Sequence, residues 1–150
     1  MSSRLDILNE LVSILQGITK ANGYVNEVAL VTKKLEDIET ISTFPMISVM
    51  NGNRVYETSE EDEDLYKVNA TFVFIGYIKS AYDTSGSANL TTDCDSLLED
   101  IKHCLLLNKD TLFTKTQARS LKLKQDENIY DFDNNIATVG LSIAIEYFEI

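Results

Sequence analysis

Apolar and polar positions alternate most regularly at the C-terminal end of the chain. There Ala137, Val139, Leu141, Ile143, Ile145 and Tyr147 interleave with Thr138, Gly140, Ser142, Ala144 and Glu146. A period of two held this long predicts a strand over 136–148 with one apolar face and one small or polar face. At about 3.3 Å per residue it would be roughly 40 Å long, more than most strands reach. A second long strand is predicted over 68–79. Val68, Ala70, Phe72, Phe74 and Ile78 share one of its faces. On the other, Asn69 and Thr71 give way to Val73, Ile75 and Tyr77, so that face turns apolar halfway along. Two such strands point to a sheet that extends beyond its own core to meet something else.

The helical period marks two other segments. Leu5, Leu8, Leu11, Val12, Leu15 and Ile18 follow it, widened by Ile7 and Ile14, after a Ser3-to-Asp6 capping box. With Asn22-Gly23 as the stop, a helix is expected over 3–21. Leu90, Cys94, Leu97, Leu98, Ile101, Cys104 and Leu105 define a second amphipathic helix over 88–107. Between the helices, 27–33 reads as a strand, and 35–43 stays open between strand and helix. Pro45, the only proline, precedes a short strand over 46–50. Asn51-Gly52 signals a turn, with 54–58 as a partner strand. Residues 81–87 read as a polar loop. The stretch 108–135 is polar, with a short strand at 120–124. The economical packing is α+β: a mostly antiparallel sheet with two amphipathic helices on one face, in a single domain over 1–150.

Charge changes the picture in two places. Glu57, Glu60, Glu61, Asp62, Glu63 and Asp64 put six carboxylates into eight residues, which predicts a solvated loop or hairpin tip. Lys115, Arg119, Lys122 and Lys124 give the later polar stretch a basic bias. The net charge of −11 disfavours nucleic-acid binding by phosphate neutralisation and suits a surface that stays near DNA without sticking to it. No apolar run approaches the roughly 20 residues of a membrane span, and no secretory signal is visible.

Candidate chemistry is sparse. Cys94 and Cys104 are the only cysteines; within one straight helix they would lie roughly 15 Å apart, too far to pair. With His103 they do not converge on one helix face as zinc ligands must. The acidic run lacks the glycine and ligand order of a calcium loop. No nucleophile elbow, phosphate-binding loop or dinucleotide fingerprint is present. The expectation is a non-enzymatic protein with no cofactor and no metal.

The order of elements carries a resemblance. An amphipathic opening helix ends at Gly23-Tyr24, followed by Phe44-Pro45-Met46-Ile47-Ser48-Val49 and an acidic hairpin. Then come Phe72-Val73-Phe74-Ile75-Gly76-Tyr77, a helix with Leu97-Leu98-Glu99-Asp100-Ile101, and a last strand ending Ile145-Glu146-Tyr147-Phe148. This pattern resembles the tail terminator (tail completion) proteins of long-tailed bacteriophages over nearly the whole chain. The resemblance implies a ring, usually of six subunits, that caps the tail tube, ends its polymerisation and offers the docking surface for the head connector. DNA passes through the lumen without specific binding. The implied partners are the chain itself, the tube protein and the connector, with no membrane. The implied location is the tail–neck junction of the virion, after assembly in the host cytoplasm. On this reading Val73, Ile75 and Tyr77 are covered by a neighbouring subunit, the acidic run lines the lumen, and the basic segment meets an acidic partner. A neck or head-completion protein, and from another class a small intracellular α+β enzyme or regulatory binding domain, are the alternatives.

Overall fold

The structure, a computed structural model, describes residues 3–35, 40–58, 65–80, 87–131 and 134–149. In chain order it contains α1 (Arg4–Leu15), β1 (Leu30–Thr32), β2 (Met46–Thr58), β3 (Tyr66–Lys79), α2 (Ser87–Leu107), α3 (Lys109–Thr116), β4 (Ser120–Asp131) and β5 (Ile136–Glu149). The five strands form one sheet in the order β1-β2-β3-β5-β4. Only the β1–β2 pair is parallel, so the sheet is mixed but mostly antiparallel, and the α+β class holds.

The two long alternating strands form the centre. β3 and β5 pair antiparallel along their whole lengths, from Tyr66↔Glu149 to Lys79↔Ile136. Their apolar rows, Val68 to Ile78 and Ala137 to Tyr147, all point to one buried layer. α1 and α2 cover that layer with Ile7, Leu11, Leu15, Leu90, Leu97 and Ile101, each fully buried. Gly76 sits beneath α2: a Cβ there would lie 3.0 Å from Leu97 Cδ2 and 2.8 Å from Val139 Cγ2. The missing side chain lets the helix settle onto the sheet.

Helix α1 starts as the sequence suggests. Asp6 N donates to Ser3 Oγ at 3.2 Å and Ser3 N to Asp6 Oδ2 at 3.0 Å, a complete capping box. These bonds hold the Asp6 carboxyl below its usual range. The helix stops at Leu15, six residues before the expected end at 21. Gly17 is the reason: glycine costs about 1 kcal/mol in a helix interior, and here Asn22 Nδ2 takes its carbonyl at 2.9 Å. Ile18 remains fully buried, so the apolar period outlasts the helix.

Three further expectations change. Asn51-Gly52 is not a hairpin turn but a bulge inside the 13-residue β2, where the register against β3 shifts between Asn51 and Arg54. A Cβ on Gly52 would come 2.9 Å from the Thr71 carbonyl oxygen, so the glycine serves a close strand approach. The chain reverses later, after Thr58↔Tyr66. The polar stretch 108–135 contains α3, whose buried residues are only Leu112 and Thr116, too few to leave a period. The short strand at 120–124 is the first part of β4, which runs to Asp131. Its alternation is hidden by a bulge between Leu123 and Gln125 and by exposure on an outer edge.

No described helix is long and apolar enough to cross a membrane.

Candidate functional site

With α1 and α2 on one face, the other face of the sheet is where the sequence places a contact. Strand register aligns three rows across it: Met50–Val73–Ser142, Ser48–Ile75–Gly140 and Met46–Tyr77–Thr138. The rows differ in cover. Met46, Ser48 and Tyr77 are 2 %, 0 % and 4 % exposed, so the chain itself closes that end. This corrects the expectation for Tyr77, which offers no free surface. Val73, Ile75 and Met50 are only half-buried. Beside them lies a recess of about 210 Å³ bounded by Val73, Gly140, Ser142, Gln125 and Glu127. It exists because Gly140 has no side chain, leaving the Glu127 stem to lie 3.3 Å from where a Cβ would be.

The closed end holds one unusual group. Ser48 Oγ is buried and has no hydrogen-bond partner among the described residues. A hydroxyl buried without a partner costs roughly 1–3 kcal/mol in protein mutational data. Ser48→Ala is therefore expected to stabilise the fold by about 1 kcal/mol, raising Tm by roughly 2–4 °C in a thermal melt. A lowered Tm would mean that the hydroxyl is satisfied.

The far end of the sheet, where β2 and β3 approach residues 59–64, carries a cluster not anticipated from sequence. Arg54 Nη1 lies 3.4 Å from Glu149 Oε1 and its guanidinium 5.5 Å from the Tyr56 ring centroid. Tyr56 and Tyr66 meet edge to face at 6.1 Å. Tyr147 OH donates to Glu149 Oε1 at 2.6 Å, and burial first, then this bond, pushes the phenol well above its usual range. Tyr56 and Tyr66 are 48 % and 40 % exposed. Exposed tyrosines beside an arginine have the composition of interface anchors. The signal was the Arg54-Val55-Tyr56 run facing Tyr66 across the acidic segment, visible only once the two strands are known to pair. On the opposite face Lys67 bridges Glu57 (3.7 Å) and Glu146 (3.5 Å). Of the acidic run, Glu57 thus belongs to β2, while Glu60, Glu61, Asp62, Glu63 and Asp64 lie outside the described residues.

The four basic residues are not one patch. Lys115, on α3, pairs with Glu10 of α1 at 3.5 Å, and Arg119 stacks 4.5 Å over the Phe148 ring. Lys122 and Lys124 are exposed on β4.

On the helix side, Cys94 and Cys104 are buried in α2, and burial pushes both thiols up. Cys104 Sγ donates to the Ile14 carbonyl at 3.3 Å. Tyr24 is pushed up to about 12 by burial, then by its bond to Cys104. His103 is exposed and meets the Tyr24 ring edge-on at 5.8 Å. A recess of about 350 Å³ opens there between α1, α2 and α3, but its polar groups already serve one another: Asn108 Nδ2 donates to the Cys104 carbonyl, and Glu10 holds Lys115. Among the described residues no group of three or more His, Cys, Asp or Glu could share a metal ion. The surfaces best suited to recognition are therefore the helix-free sheet face and, at the far end of the opposite face, the exposed aromatic cluster. No protein-family model matches this chain, and no curated protein matches its sequence.

Proposed function

We propose that this chain is a structural virion protein of the tail terminator type. Copies assemble into a ring, six-fold by the family resemblance, that caps a phage tail tube, stops its polymerisation and presents a surface to the head connector. The lumen conducts DNA, and the protein carries out no catalysis. It acts at the tail–neck junction after assembly in the host cytoplasm.

The observation that carries this reading is the half-covered centre of the helix-free face. Val73, Ile75 and Met50 are half-buried there, and Val73 with Gly140 and Ser142 lines a recess that a neighbouring subunit can fill. The order of elements and the net charge of −11, unfavourable for trapping DNA in transit, add to it.

Negative-stain microscopy of the purified protein, alone and mixed with its tube protein, is the test. Rings alone or densities capping tube ends are expected, with tubes no longer growing. A protein that stays monomeric at high concentration and leaves tube ends bare would overturn the proposal.

A further inference from the structure

β4 ends the sheet, and among the described residues its only ladder partner is β5. Its other edge faces no strand among the described residues, and every residue over 122–129 is exposed. Exposed edges of this length invite pairing and are normally blunted by charge and bulges. β4 has both, but its charges are sorted. Lys122 and Lys124 occupy its first half; Asp126, Glu127 and Asp131 occupy its second.

Register fixes which face these charges share. Lys122 lies opposite Ala144 and Glu127 opposite Gly140 on β5, and Ala144 and Gly140 both lie on the helix-free face. The bulge between Leu123 and Gln125 makes this possible, since five residues apart on a regular strand would put the two on opposite faces. Neither Lys122 nor Glu127 has an ion-pair partner among the described residues, whereas Asp126 is held by Lys102 of α2 at 2.7 Å.

We propose that β4 is a self-recognition edge, on which a second copy of this chain pairs its own β4 antiparallel, setting Lys122 of each copy opposite Glu127 of the other. Directly opposite residues of an antiparallel pair share a face, as these two do. The contact is two-fold, so each charge pair forms twice. Ser120 then faces Ile129, which is 58 % exposed in the single chain and becomes covered. A parallel, in-register pairing would oppose Lys122 to Lys122, so the same charges that reject other arrangements select this one. The contact is isologous and separate from the head-to-tail contact that closes a ring, and it does not rest on the terminator reading.

The experiment uses two full-length variants, Lys122→Glu and Glu127→Lys, in sedimentation velocity at low salt, with circular dichroism confirming the fold. Alone, each variant opposes like charges at both symmetric positions, and self-association is expected to weaken at least about tenfold relative to wild type. Mixed one to one, the two variants restore both opposite-charge pairs, and a dimer with one copy of each is expected at wild-type strength. Putting both substitutions in one chain should restore the homodimer as well. Variants that self-associate like wild type, or a mixture that recovers nothing, would overturn the proposal. Swap rescue in a protein that never caps tubes would sink the ring reading alone.

Discussion

Asp100→Ala is expected to destabilise the fold by about 2–4 kcal/mol, lowering Tm by roughly 5–15 °C. Asp100 is charged yet only 7 % exposed, on the face of α2 that meets the connection from α1 to β1. Its carboxylate accepts from Asn26 N at 2.8 Å, Asn26 Nδ2 at 2.9 Å and Val25 N at 3.4 Å. Hydrogen bonds to a charged acceptor are about twice as strong as neutral ones, and two of the donors are backbone groups with no substitute nearby. The same connection is tied down by Val28 N to the Ile18 carbonyl and Ala29 N to the Pro45 carbonyl, so its release loosens β1 against β2. Asp100→Asn keeps one acceptor oxygen and should lose about half as much. Urea or thermal unfolding reads both variants. An alanine variant within about 0.5 kcal/mol of wild type would show that α2 does not anchor this connection.

Ile75→Asp is expected to abolish tube capping while leaving the monomer folded. Ile75 sits between Ser48 on β2 and Gly140 on β5, half-buried on the helix-free face. On the proposed reading a neighbouring subunit covers it. A carboxylate forced into that contact without a partner costs several kcal/mol; about 3 kcal/mol weakens each contact about 100-fold. The fold loses less, about 1–2 kcal/mol, because the isoleucine is only partly removed from water and the new charge reaches solvent in the monomer. Capped tubes counted by microscopy, beside a thermal melt, separate the two effects. Capping at the wild-type level would remove this face from the ring contact.

Local pattern carried the sheet's centre and the helices' apolar stripes. Alternation along 136–148 and 68–79 predicts β5 and β3 within two residues at each end, because both strands bury one full face and each position records it. α2 is equally plain, since its row from Leu90 to Leu105 lies on that face. Where only one or two side chains are buried, nothing periodic is left to read. That is why α3, resting on Leu112 and Thr116, leaves no pattern in the sequence, and why the pattern of β4 shows only over 120–124. Asn51-Gly52 failed for another reason: the turn chemistry is real, but the glycine's local freedom is used for approach to Thr71.

The candidate site divides in the same way. Val73, Ile75 and Tyr77 were legible as a row, yet only the fold shows that Tyr77 is closed off by the chain itself while the other two stay half open. The Arg54–Tyr56–Tyr66–Glu149 cluster and the Lys122–Glu127 spacing were not legible at all. The first joins residues from three strands, and the second needs a bulge to bring two charges to one face. By itself the sequence determined which faces are apolar, where charge accumulates and that the class is α+β, since burial and solvation act residue by residue. Strand order, register and bulges depend on pairing between segments tens of residues apart. They alone decided which apolar residues are covered and which charges are left for another chain.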